Sequence, residues 1–212
     1  MYKQIKWGKE YTRYDGSKTF RVEKNRNDLR IARFSRDKKY YVPIENYYIC
    51  ADVHYVSHEE TRIGLLCNQE EDNECSACNV GHEPKQMTLM PVYDVFLKEV
   101  QIIAMSENCD PGSLSPQIES IMIEHGDKDE GQDITICISK PDMYSFDVQV
   151  GLPIKNGAKI MERKIKEFEK KVKAGSGYLV SCYTELSNDE MLQVEEINMM
   201  AEVSGYDLDD AA

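Results

Sequence analysis

Apolar residues in the middle of this chain alternate with polar ones over short runs, a period of two that predicts strands more than helices. Leu29-Arg30-Ile31-Ala32-Arg33-Phe34 and Lys38-Lys39-Tyr40-Tyr41-Val42-Pro43-Ile44 read as two strands joined at Ser35-Arg36-Asp37. Ala51-Asp52-Val53-His54-Tyr55-Val56 alternates in the same way. Residues 87–97 and 100–105 predict a hairpin turning at Lys98-Glu99, and residues 134–139 and 144–150 predict two further strands. Helical signals are fewer. Residues 115–126 carry a capping serine, proline at the first helical position and a stop glycine, Ser115, Pro116 and Gly126. Residues 157–173 predict a basic amphipathic helix stopped at Gly175, and 188–201 a second helix. Short strands broken by a helix predict a mainly β fold with peripheral helices (α+β), an OB-fold-like, partly closed barrel of the oligonucleotide-binding type.

Within that pattern one stretch cannot fill a core. His54 is followed after twelve residues by Cys67, after seven more by Cys75 and after two more by Cys78, and the intervening Asn68-Gln69-Glu70-Glu71-Asp72-Asn73-Glu74 is polar throughout. Two thiolates in a Cys-x-x-Cys turn can point at one ion, and the second pair must come from a separate strand or loop. The spacing therefore predicts one structural Zn2+ in an inserted zinc hairpin, with Cys67, Cys75 and Cys78 as ligands and His54 as the fourth. His58 and His82 lie near enough in sequence to compete for that fourth place. His58-Glu59-Glu60 with Cys75-x-x-Cys78 also mimics the two halves of a zinc nucleobase deaminase, but Glu74 stands where such enzymes carry proline and Cys67 would be left over. Neither a phosphate-cradling glycine loop with its lysine nor a dinucleotide fingerprint is present, so the expected protein is not an enzyme.

Charge sharpens the picture because it is unevenly spread. The net charge of -12 conceals a head, residues 1–50, with 13 Lys and Arg against 6 Asp and Glu. Residues 51–150 have 5 against 20, residues 151–184 have 8 against 3, and residues 185–212 have 9 acids with no Lys or Arg. In the basic head, cations and tyrosines are interleaved. That is the composition of a sequence-tolerant single-strand groove, in which Lys and Arg track phosphates and exposed rings stack on bases. Arg30, Arg33, Arg36, Lys38 and Lys39 are the candidate phosphate contacts, and Tyr40, Tyr41, Tyr47 and Tyr48 the candidate platforms, with Tyr55 beside them. By alternation half of these rings must face the core. The acidic end, with Asp207, Asp209 and Asp210, is expected to be a flexible tail that competes with DNA for a cationic groove and contacts basic partners. Seven cysteines without a secreted framework and the lack of a long apolar run predict a reducing, cytoplasmic setting and no membrane contact.

The order of basic-aromatic strands, His54, Cys67, Cys75-x-x-Cys78, Tyr93-Asp94-Val95-Phe96, helix and acidic end resembles the single-stranded-DNA-binding proteins of tailed phages, the T4 gene-32 type. The resemblance spans roughly residues 25 to 150. It implies a zinc-containing oligonucleotide-binding fold, a role in DNA replication, recombination and repair, replication and recombination proteins as partners of the tail, and self-association on DNA; it also adds Tyr93 to the candidate DNA contacts. The seven-residue gap between Cys67 and Cys75 is shorter than in the T4-type member, no clear basic cooperativity motif stands at the N-terminus, and the Lys-rich 157–173 has no matching counterpart there. The expected organisation is an N-terminal arm (1–24), a core (25–155) holding the zinc subdomain (50–86), a basic helical extension (156–184) and an acidic tail (185–212). A zinc-stabilised interaction adaptor that binds no DNA is the alternative, favoured by the acidic middle block.

Overall fold

The computed structural model describes residues 9–12, 18–21, 29–44, 47–69, 74–106, 110–125, 134–151, 157–175 and 177–205. Strands β1 (Lys9–Thr12) and β2 (Lys18–Arg21) pair with each other. The remaining strands are β3 (Lys39–Pro43), β4 (Ile49–His58), β5 (Thr61–Leu66), β6 (Lys85–Asp94), β7 (Glu99–Ser106), β8 (Ile136–Ser139) and β9 (Asp147–Val150). They form one seven-stranded antiparallel sheet in the order β5-β4-β6-β3-β8-β9, with β7 also on β6, and the sheet does not close into a barrel. Six helices accompany it among the described residues: α1 (Ser76–Asn79), α2 (Leu114–His125), α3 (Ala158–Ala174), α4 (Gly177–Val180), α5 (Asn188–Met191) and α6 (Glu195–Ser204). None is long and apolar enough to cross a membrane.

The chain divides into two compact units, one of Met1–Asn27, Ala51–Gln86 and Tyr183–Ala212, the other of Asp28–Cys50 and Met87–Cys182. In the second unit the alternation of β3 sends Tyr41 to one face and Val42 to the other. Tyr41 packs with Met90, Val92, Ile136 and Ile138 and with Leu114 and Ile118 of α2. Val42 packs with Tyr93 and with Met161 of α3, backed by Val95, Val100 and Ile165. Each such buried aliphatic or aromatic side chain contributes roughly 1.5–3 kcal/mol relative to exposure. Gln117 fastens α2 to β9 by donating to the Phe146 carbonyl at 2.8 Å and accepting from the Val148 N–H at 3.1 Å.

Three expectations need correction. Residues 29–34 do not form a hairpin with β3. They make a parallel bridge at Ile31 to Ile102 of β7, with the Ala32 N–H donating to the Ile102 carbonyl at 2.7 Å. Leu29 and Ala32 are the buried residues there, a spacing of three that a regular strand cannot satisfy. The helix expected over 188–201 is two helices, because Met191, Leu192, Val194 and Ile197 are all buried and no single helical stripe presents all four. Val194 turns extended to start α6, and Ser187 with Glu190 forms a capping box that starts α5.

The third correction concerns the acidic tail. Residues 185–205 are folded, and Leu186, Met191, Leu192, Val194, Ile197 and Ala201 share a core with Val56, Leu65, Cys75, Ala77 and Val80. The acids of this stretch mostly occupy the exposed positions between those buried ones, so a tally of charge hides its amphipathic pattern. The unit that carries the His54, Cys67, Cys75 and Cys78 cluster is therefore not the contiguous 50–86 hairpin alone but that segment completed by residues from the C-terminal end. Asp207, Asp209 and Asp210 lie outside the described residues.

Candidate metal centre and nucleic-acid interface

Strands β4 and β5 form a hairpin in which His54 pairs with Leu65 and His58 with Thr61. The two-residue turn between them, Glu59 and Glu60, has φ of 46° and 60°, the doubly left-handed geometry of a type I′ turn without the usual Asn or Gly. It is braced by the Thr61 hydroxyl donating to the His58 carbonyl at 3.0 Å and by the Glu59 N–H donating to the Glu195 carboxylate at 3.1 Å. Alternation along β4 puts His54, Val56 and His58 on the buried face. Cys67 follows β5, its N–H donating to the Asp52 carbonyl at 2.9 Å, while Cys75 precedes α1 and Cys78 lies within it.

These elements bring the ligand atoms of His54, Cys67, Cys75 and Cys78 within 4.8 Å of one another. The His54 Nε2 lies 3.5 Å from the Cys75 Sγ and 3.6 Å from the Cys78 Sγ, and the Cys67 and Cys78 sulfurs are 3.7 Å apart. A tetrahedral ion with metal–sulfur bonds of about 2.3 Å and metal–nitrogen bonds of about 2.0–2.1 Å would have sulfur–sulfur edges of about 3.8 Å and nitrogen–sulfur edges of about 3.6 Å. The three edges of 3.5, 3.6 and 3.7 Å are close to those figures and the remaining ones stay within 4.8 Å, so the donor set could hold one four-coordinate metal.

The other two histidines have different work. His82 places its Nδ1 3.1 Å from the Nδ1 of His54, and its Nε2 lies 3.9 Å from a Glu196 carboxylate oxygen. That chain of carboxylate, imidazole and imidazole leaves the His54 Nε2 directed at the sulfurs, the outer-shell arrangement that fixes a ligating histidine. His58 accepts from the Glu195 N–H at 3.3 Å through its Nδ1 and so caps α6.

Electrostatics inside the cluster favours a bound cation. Burial pushes the Cys75 thiol up, but hydrogen bonds from His54 and from the backbone of Cys78, Asn68 and Ala77 outweigh it and bring it down to about 6. Burial raises Cys78 to about 12, helped by the sulfurs of Cys67 and Cys75, and burial likewise raises Cys67. Three thiolates cannot coexist in so small a volume without positive charge, which a divalent ion would supply.

The C-terminal segment holds this centre from behind. Asn188 donates to the Glu74 carbonyl at 2.7 Å and accepts from the Ser76 N–H at 3.1 Å, clamping both neighbours of Cys75. The Asn68 side chain donates to the Leu186 carbonyl at 2.6 Å, the Leu66 N–H donates to the Thr184 carbonyl at 2.8 Å, and the Cys75 Sγ lies 3.8 Å from the Met191 Sδ. Tyr183 seats its ring beside Gly64, and its hydroxyl is 2.9 Å from that of Tyr55. None of these contacts is visible in the spacing of the ligands, although the Ser187-Asn188-Asp189-Glu190 capping pattern marks a structured start.

In the other unit the candidate DNA contacts divide. Arg30, Arg33, Arg36 and Lys38 are exposed, and Tyr40 and Tyr48 expose 43% and 42% of their surface. Lys39 is half-buried, its ammonium donating to the Arg33 carbonyl at 2.7 Å. Tyr41 and Tyr93 are buried, so they are core residues and offer no ring face to a base. Tyr47 is half-buried and packs edge-on against Phe168 with ring centres 5.8 Å apart, which makes it a brace for α3. Sequence reasoning passed over Phe96 and Tyr144, which are 85% and 86% exposed. Comparison with protein-family models, with curated proteins and with solved structures gives no significant match.

Proposed function

We propose that this protein coats single-stranded DNA with little sequence preference, protecting it and presenting it to replication, recombination and repair enzymes in the manner of the gene-32 type. The observation that carries the reading is the exposure, within residues 30–48, of four cations and two tyrosine rings. Cations follow phosphates, and each stacked base is worth about 1–3 kcal/mol. The open antiparallel sheet, with α2 inserted between β7 and β8, would be a variant of the oligonucleotide-binding barrel. Zinc is the metal that best suits three thiolates and one imidazole, and with all four positions taken by protein it would be structural, with no place for a reacting water. The acidic end, with Asp207, Asp209 and Asp210, would meet basic partner proteins and weaken DNA binding at low salt.

A non-DNA adaptor is the second reading, favoured by the exposed Phe96, Met143 and Tyr144, which suit contact with another protein. Fluorescence anisotropy of a labelled oligo-dT with the full chain separates the two. The strand-coating reading predicts binding that weakens steeply with salt, weakens on Tyr40→Ala with Tyr48→Ala, and strengthens when Asp207, Asp209 and Asp210 become Asn. Absence of binding at low salt, with the tail acids neutralised as well, would leave the adaptor.

A further inference from the structure

Helix α3 turns Met161 and Phe168 into the core, with Ile165 half-buried beside them. On the side away from Phe168, at 100° per residue, Lys159, Arg163, Lys166, Lys170 and Lys173 fall within an arc of about 80°. All five are exposed. Acids stay off this ridge: Glu162 and Glu169 flank one side and Glu167 the other. Glu167 pairs with Arg163 at 3.8 Å and with Lys164, which lies off the ridge, at 3.3 Å. Lys171 is also off the ridge, its ammonium 5.4 Å above the ring of Tyr178. Among the described residues, Lys159, Lys166, Lys170 and Lys173 have no ion-pair partner. Glu162 and Glu169 stand one turn before Lys166 and Lys173 and ease the repulsion from the flank, but the row itself presents four ammonium groups with no carboxylate of a described residue within 4.0 Å.

We infer that this ridge is a phosphate-binding track for the backbone of single-stranded DNA, separate in sequence from the cations of residues 30–38. This rests on the strand-coating reading and names a second element of that interface. From Lys159 to Lys173 the ridge runs about 21 Å at 1.5 Å per residue, the length of about six phosphates of a stacked strand spaced about 3.4 Å apart. Lysines at such spacing neutralise phosphates as point charges and read no bases, which matches a sequence-tolerant binder. The opposite, apolar face of α3 is already occupied by the sheet, so the ridge is free to carry charge without a structural role.

The test compares three full-length proteins by oligo-dT anisotropy over a series of salt concentrations. In one, Lys159, Lys166, Lys170 and Lys173 are all replaced by Gln; in a second the same four are replaced by Arg; in a third Arg30, Arg33, Arg36 and Lys38 become Gln. The Gln ridge variant should lose up to about 3 from the log-log salt slope, at about 0.7 per phosphate, and bind at least tenfold more weakly at low salt. The Arg set should keep the wild-type slope, and the thermal melts of both ridge variants should match wild type. An unchanged slope in the Gln ridge variant, with binding lost in the 30–38 variant, overturns the ridge and leaves the strand-coating reading standing. Failure of the wild-type protein to bind overturns both.

Discussion

Replacing Asn188 with Ala tests whether the C-terminal segment holds the metal centre together. The side chain makes two hydrogen bonds, to the Glu74 carbonyl at 2.7 Å and from the Ser76 N–H at 3.1 Å. Ser76 is buried, with 3% of its surface exposed, so its N–H would be left without a partner at a cost of about 1–3 kcal/mol. The Glu74 carbonyl belongs to an exposed residue and can turn to water, so that bond is worth about 0.5–1.5 kcal/mol. Together they amount to about 1.5–4.5 kcal/mol, placed on either side of a candidate ligand cysteine. Because ligand geometry and metal affinity are linked, the loss divides between a lower melting temperature and weaker metal binding. At about 1.4 kcal/mol per tenfold, half of a loss of ~3 kcal/mol would lower metal affinity, measured by competition with a chromophoric chelator, by about tenfold. Asn188→Asp, which keeps the acceptor for Ser76 and loses only the donor, should fall less. If Asn188→Ala binds metal as tightly as wild type and melts at the same temperature, the C-terminal segment does not support the centre.

Gly64→Ala should destabilise by about 1–3 kcal/mol, because the new Cβ would sit 2.8 Å from the buried Tyr183 ring, and chemical denaturation will read that loss. Tyr41→Phe removes a buried hydroxyl that has no hydrogen-bond partner; stability should change by less than about 1 kcal/mol and oligo-dT affinity not at all, whereas a loss of affinity would return Tyr41 to the DNA interface. For the metal-free protein, the fold lowers Cys75 from an ordinary thiol value of 9.0 to about 6, so the unfolded chain binds the extra proton between those values. Its contribution to stability is complete above pH 9 and is lost as the pH falls through 6. Cys78 works in the opposite direction, raised to about 12, and takes stability away as the pH rises above 9. Denaturant midpoints of the chelated protein should thus rise from pH 6 and pass through a maximum near 9, and a flat profile would contradict the assigned thiol environments.

The two-residue gap of Cys75 and Cys78 and the alternation around His54 were enough to single out the four residues that the structure brings within 4.8 Å of one another, because both are local rules that follow from how a turn and a strand direct side chains. The choice among His54, His58 and His82 was not local: it depends on α6, whose Glu195 and Glu196 engage His58 and His82 from about 137 and 114 residues away. Most strands were legible from their period of two, whereas residues 29–34 were not, since one bridge to β7 replaced a regular pairing. For the tyrosines, alternation says that some must face inward, but it cannot show that both faces are covered, Tyr41 by α2 and Tyr93, beside Val42, by α3. The acidic C-terminal stretch is amphipathic beneath its net charge, a pattern that the helix expected over 188–201 caught only in part. Its apolar residues, spread across two short helices, complete a core that no single helical stripe could have announced.

The measurement that bears most directly on this account is a thermal melt of the full-length protein before and after chelation, with metal content determined on the same sample. One zinc per chain is expected, with chelation lowering the melting temperature by ~10 °C or more, restoration on adding zinc, and the same loss in Cys78→Ser. A protein that carries no stoichiometric metal, or that melts identically with and without it, would contradict the assignment of His54, Cys67, Cys75 and Cys78 as the structural centre of this fold.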